Sequence, residues 1–124
     1  YSLLVSSVFD RLGGLDEWIA DVSRCMNRNT AQWSVIYSGK TLAACACALF
    51  VADSAAFLGC VAARKDMRGR GLGGEAVLTL AERYSSDGRR VELFCKDGSI
   101  VEFYKKSGFA PVGRWAEYDT EQEI

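Results

Sequence analysis

Histidine is absent from this chain of 124 residues. That absence removes every Ser-His-Asp and Cys-His catalytic scheme, and every histidine-ligated metal site, from within the chain. An excess of either charge is also lacking: 15 Lys and Arg face 16 Asp and Glu, for a net charge of −1. Bulk electrostatics therefore give no support to a nucleic-acid or anionic-membrane partner. Nor is there a Cys-x-x-Cys pair of the zinc or redox kind. The five cysteines, at 25, 45, 47, 60 and 95, are odd in number and lie inside apolar runs. They read as small buried hydrophobes, free thiols of a reduced, cytoplasmic protein, with no metal site. Cys95 ends a strand-like run, but no base accompanies it as a nucleophile would need. No signal peptide is visible in these residues, and the chain begins at Tyr1 in mid-pattern, as a fragment or a trimmed chain would. The almost wholly apolar stretch from Leu42 to Ala63 is interrupted by Asp53-Ser54 and contains Gly59. That pattern suits a turn between two buried strands, not a membrane span.

What is present is an ordinary globular composition, 49% hydrophobic and 25% charged, on a length that suits one domain over 1–124. Its centre is Met67-Arg68-Gly69-Arg70-Gly71-Leu72-Gly73-Gly74, between an apolar strand-like run and a stretch of helical periodicity. Glycines at this density remove Cβ atoms from a turn and permit positive φ. The helix that follows would aim its unpaired N–H groups and the positive end of its dipole into the same space. A helix N-terminus reached through a glycine turn is an anion site, phosphate being the usual anion. Arg64, Lys65, Arg68 and Arg70 add cations around it. The expectation is a phosphate-bearing ligand held mainly by backbone amides.

In chain order, Tyr1 to Phe9 reads as the end of a helix, and Leu15, Trp18, Ile19, Val22 and Met26 recur at helical spacing. Gln32 to Tyr37 reads as a strand with Trp33, Val35 and Tyr37 on one face, and Ser38-Gly39-Lys40 as a hairpin turn. Thr41 to Val51 reads as a strand buried on both faces, and Ala55 to Ala63 as a third, completing an antiparallel meander. After the glycine turn, Ala76, Val77, Leu80, Ala81 and Tyr84 form a core stripe on a helix ended by Ser86-Asp87-Gly88. A short strand over Val91 to Cys95 follows. Ser99-x-x-Glu102 has the capping-box pattern for a last helix, which ends at Gly108. A final strand is expected over Phe109 to Tyr118, then an acidic tail. The fold class predicted is α/β: a mixed sheet with an antiparallel meander followed by a parallel strand–glycine loop–helix–strand unit.

These residues resemble the GNAT superfamily of acyl-CoA-dependent N-acyltransferases. Arg68-Gly69-Arg70-Gly71-Leu72-Gly73 matches that family's pyrophosphate signature, Arg/Gln-x-x-Gly-x-Gly/Ala. Phe103-Tyr104-Lys105-Lys106-Ser107-Gly108-Phe109 is similar to its second hallmark, a helix end. The likeness spans roughly Gln32 to Tyr118. It implies acetyl-CoA as cosubstrate and an amine, small molecule or peptide, as acceptor, with no nucleic acid or membrane, and it allows a homodimer. Cys60, Val61, Ala62 and Ala63 would pair with the pantetheine arm as an added strand does. The amides of Gly69, Arg70, Gly71, Leu72, Gly73 and Gly74 would hold the pyrophosphate, with Arg68 and Arg70 neutralising charge. Tyr104 matches the family's general acid for the departing thiolate, and the amine would attack the thioester directly. Asp97 stands where many members have a cofactor-contacting asparagine, and Lys65 where a proline is frequent. For a general base, the meander strands offer almost no charge; Glu92 and Glu117 are the candidates, and none is named.

Two other readings compete. Gly69-x-Gly71-x-x-Gly74 also fits a dinucleotide fingerprint, which would want the turn after the first strand of a parallel sheet. A non-catalytic domain of the same fold, binding CoA or a protein partner, would have no need of a phenol at Tyr104.

Overall fold

The computed structural model describes residues 3–4, 14–96 and 98–116. Most of the helix expected over Tyr1–Phe9, and the residues Asp97 and Glu117, lie outside them. The elements are α1 (Leu15–Asn27), β1 (Gln32–Ser38), β2 (Thr41–Val51), β3 (Ala55–Ala63), a 3₁₀ turn (Lys65–Met67), α2 (Leu72–Ser86), β4 (Arg90–Leu93) and α3 (Ser99–Lys106). The strands form one sheet in the order β1-β2-β3-β4. The first three pair antiparallel, and β3 with β4 parallel. This is the expected mixed sheet.

β2 is buried on both faces because Ala43–Ala48 are alanines and cysteines, small enough for layers to close on either side. On one face α2 lays Ala76, Val77, Leu80 and Tyr84 against Ala46, Ala48, Ala56 and Leu58. Each of the larger aliphatic side chains there contributes roughly 1.5–3 kcal/mol by leaving water. α1 covers the other face more loosely, with no fully buried side chain of its own. Leu15, Ile19 and Met26, from its apolar stripe, stay about half exposed at 48%, 48% and 47%. Two pockets of about 290 and 200 Å³ remain between α1 and the sheet, both lined by Trp18 and Trp33. No helix among the described residues is long and apolar enough to cross a membrane.

Three expectations about elements need correction. The last helix has no capping box: Gly98, at φ +115°, is its N-cap and makes no side-chain cap bond, so Ser99 is already inside the helix. The short strand ends at Leu93, with Phe94 and Cys95 beyond it. No strand forms over Phe109–Ala116. Pro111 lacks a ladder donor, Gly113 weakens a strand and Val112 is 93% exposed, so the segment forms no ladder, although Phe109 packs on the core and Trp115 on Phe94.

Candidate active site

β3 and β4 form a fork. Their parallel pairing runs only from Ala55↔Arg90 to Leu58↔Leu93. β3 then continues along β2, with Cys45↔Ala62 and Ala44↔Ala63 in register, while the chain after β4 diverges. From Gly59 to Ala62 the β4 side of β3 therefore has no strand beside it among the described residues. The fork opens just where a bulge distorts β3: two residues, Cys60 and Val61, stand between the pairs Cys47↔Gly59 and Cys45↔Ala62, against the single Ala46. Cys60 holds φ +50°, rare for a residue with a Cβ. The extra residue reverses the side-chain alternation. Leu58 and Val61 pack with α2, whereas Cys60 and Ala62 turn to the α1 face. Gly59 was the sequence signal for this bulge; a Cβ there would collide with the Leu49 side chain.

At the open end of β3 the chain passes through the 3₁₀ turn into the glycine loop. Gly69 and Gly71 hold φ +83° and +74°, and a Cβ on either would meet nothing within 4 Å. Gly71 is the left-handed N-cap of α2, whose first internal bond is Glu75 N–H to the Gly71 carbonyl at 2.9 Å. With no side-chain cap, the amides of Leu72, Gly73 and Gly74 have no partner within the helix. Gly73 and Gly74 also face α3. Cβ atoms there would lie 3.7 Å from Phe103 and from the Ser107 hydroxyl respectively, ordinary van der Waals contact, so α3 packs beside this turn. Arg68 and Arg70 are exposed beside the loop. Arg64 is engaged elsewhere: its guanidinium grips Asp66 in two bonds of 3.1 Å, which hold the Asp66 carboxyl below its usual range. The cation cluster read from the sequence is thus partly neutralised by an acid it overlooked.

Tyr104, on α3, lies in the core that α2 packs against the sheet, near Cys95. The Gly108-Phe109 pair after the helix builds a Schellman end: Phe109 N–H reaches the Tyr104 carbonyl and Gly108 N–H the Lys105 carbonyl, both at 3.0 Å. Gly108 takes φ +97° to do so, and the reversal brings the Phe109 ring edge-on to Tyr104 at 6.0 Å. Phe103 meets the same ring at 5.0 Å. The aromatic positions of the motif therefore clamp the tyrosine between them. Burial, and then the nearby Cys95 thiol, push the Tyr104 phenol up to about 12, so it keeps its proton. Its hydroxyl makes no hydrogen bond within the described residues. Yet Trp33 Nε1 is the one sealed, unpartnered side-chain polar atom among them, so the phenol retains open space. Tyr84, in the same core, instead donates to Gln32 Oε1 at 2.9 Å.

The order of these parts is three meander strands, glycine loop, helix and parallel strand, with a tyrosine on the following helix. A profile of the acetyltransferase (GNAT) family matches residues 6–109. The chain belongs to the GNAT acetyltransferase family. No curated protein matches its sequence significantly. Among solved structures, glucosamine-6-phosphate N-acetyltransferase from Arabidopsis thaliana superposes with a TM-score of 0.80 at 20% identity, over 97% of this chain and 88% of its own. An acetyltransferase from Trypanosoma brucei gives 0.75 at 21% identity, over 95% and 88%. A predicted acetyltransferase from Clostridium acetobutylicum, solved with acetyl-CoA, gives 0.72 at 18% identity, over 95% and 88%. At such identities these likenesses carry the fold. For a GNAT domain, the dinucleotide reading of the glycines falls away: the turn follows the third strand of a meander, and Glu92 sits opposite Phe57 inside the sheet. Among the described residues no cluster of acids and cysteines could hold a metal. All five cysteines are unpaired.

Proposed function

We propose that this GNAT domain is an N-acetyltransferase that moves an acetyl group from acetyl-CoA to an amine by direct attack. The observation that carries the proposal is the uncapped N-terminus of α2 reached through the glycine loop beside the β3–β4 fork, with the phenol of Tyr104 in the core packed under the same sheet face. The groups present suit the cosubstrate. A Cβ-free turn at Gly69 and Gly71 gives backbone access, and the Leu72, Gly73 and Gly74 amides are donors for pyrophosphate oxygens, with Arg68 and Arg70 alongside. The open side of β3 at Cys60, Val61 and Ala62, leading to Ala63, offers an extended edge to the pantetheine arm.

Acetyl-CoA supplies an acyl group already activated as a thioester. The amine nitrogen forms the new C–N bond as the C–S bond breaks, and Tyr104 donates its proton to the departing sulfur. The nitrogen's surplus proton goes to water. Glu92 is not assigned as base, since its carboxylate is held by Arg90 Nε at 2.6 Å. The acceptor is an amine, small molecule or peptide, and free thiols at all five cysteines suit a cytoplasmic setting. The test is turnover: CoA thiol released from acetyl-CoA in the presence of a panel of primary amines. Amine-dependent release with acetylated product is expected. Acetyl-CoA binding without release for any amine would make this a binding domain.

A further inference from the structure

We infer that the acceptor is a primary amine carrying an aromatic ring, seated on a row of exposed rings at the mouth of the fork; the inference rests on the acetyltransferase reading above. Leu58, Val91, Leu93 and Cys95 point towards α2 and α3, so Phe57, Glu92 and Phe94 lie on the opposite face. Phe57 precedes the last paired residue of β3 and Phe94 follows the last of β4, so the two rings straddle the point where the strands part. They stack at 6.0 Å and 18°. Phe50 extends the row from β2 at 6.4 Å, and Trp115 closes it edge-on to Phe94 at 5.7 Å. The indole is fixed there by Trp115 Nε1 donating to the Cys95 carbonyl at 3.0 Å.

Three of the rings are in water, Phe94 65% exposed, Phe50 56% and Trp115 39%, while Phe57 is part-buried. Together they offer an apolar seat for another ring. The row is continuous with the fork, whose other face is closed by α2 and α3 with Tyr104. An amine can therefore reach a thioester in the fork from the ring side, while sulfur leaves towards the phenol. The ring faces attract an ammonium. Glu92 lies on the same face, but its side chain is 27% exposed and its carboxylate is held by Arg90, so it adds little free charge. A second copy of the chain fits less well. At roughly 100 Å² each, the four rings together offer at most about 400 Å², below the ~800 Å² per partner of a stable interface.

Steady-state kinetics at saturating acetyl-CoA should compare phenethylamine with n-butylamine on wild type and Phe94→Ala. The expected result is a kcat/KM at least tenfold higher for phenethylamine. In Phe94→Ala, KM for phenethylamine should rise about tenfold, with kcat and the n-butylamine constants nearly unchanged. Equal kcat/KM for the two amines would overturn the inference and leave the acetyltransferase reading standing. So would a dimer that Phe94→Ala dissociates while the kinetics stay the same. Should no amine turn over and acetyl-CoA not bind, the acetyltransferase reading fails. The row is then decided by titrating phenethylamine against the Trp115 indole N–H resonance, assigned with Trp115→Phe. A saturable shift is expected, and no shift at millimolar amine would overturn the inference.

Discussion

Tyr104 and Tyr84 sit in one core and differ in a single respect that matters, the partner of the hydroxyl. Tyr84 has Gln32, while the Tyr104 hydroxyl makes no hydrogen bond among the described residues and is not sealed off. Tyr104→Phe keeps the ring and its contacts with Phe103 and Phe109 and deletes only the donor. Turnover should fall roughly tenfold to a hundredfold with acetyl-CoA affinity nearly unchanged, the mark of an interaction made in the transition state. Wild-type turnover in that variant would make Tyr104 a core residue only. Because the folded phenol is raised from 10.0 to about 12, its stabilising contribution is complete below pH 10 and is lost as pH rises through about 12. As an acid it stays competent up to pH 10, so kcat should show no alkaline fall below that pH caused by Tyr104. An alkaline limb below pH 10 that vanishes in Tyr104→Phe would contradict this. Burial likewise pushes Cys45 up to about 11 and Cys47 up to about 12. In native protein at pH 8, iodoacetamide should leave both untouched, and in denaturant it should alkylate all five thiols, read by mass spectrometry. Rapid native labelling of Cys45 or Cys47 would refute the packing of this sheet face.

At the scale of elements, the Schellman end of α3 converts a sequence motif into a fixed position for Tyr104. Gly108→Ala puts a Cβ on a residue at φ +97° and should cost about 1 kcal/mol. The melting temperature should drop by roughly 3–6 °C, and kcat should fall too as Phe109 loosens from Tyr104. Unchanged stability and kcat would show that this turn does not set the tyrosine. The helix ends were legible beforehand because Gly88 and Gly108 are local signals. The strands were legible because alternating or continuous apolar runs are local as well. Where the sequence misled, a local pattern had two uses. Ser99-x-x-Glu102 fits a cap, yet Gly98 reaches a conformation that begins the helix one residue earlier. Apolar residues after Gly108 fit a strand, yet Pro111 and Gly113 interrupt it, and no strand forms over Phe109–Ala116.

At the scale of the whole molecule, the site is a consequence of one short parallel pairing. Had β4 continued alongside β3 past Leu58, no cleft would exist; the bulge at Cys60 and the early end of β4 at Leu93 together open it. The glycine loop and Tyr104 were legible in the sequence as candidates because each lies in a contiguous motif. The ring row could not, because Phe50, Phe57, Phe94 and Trp115 come from four separate segments with no common spacing. Asp66 was missed for a related reason, since only the 3₁₀ turn brings it back onto Arg64.

The central claim is that the fork and the α2 N-terminus bind a CoA thioester. Calorimetric titration of the wild-type chain with acetyl-CoA, CoA and NAD, beside Gly71→Asp, tests it most directly. Gly71 lies at φ +74° with open space around it, so the substitution should cost about 1 kcal/mol yet leave the protein folded. The predicted result is saturable binding of both CoA species, none of NAD, and loss of binding in folded Gly71→Asp as its carboxylate repels the phosphates. Binding of NAD with no response to either CoA species, or undiminished acetyl-CoA affinity in folded Gly71→Asp, would contradict the account.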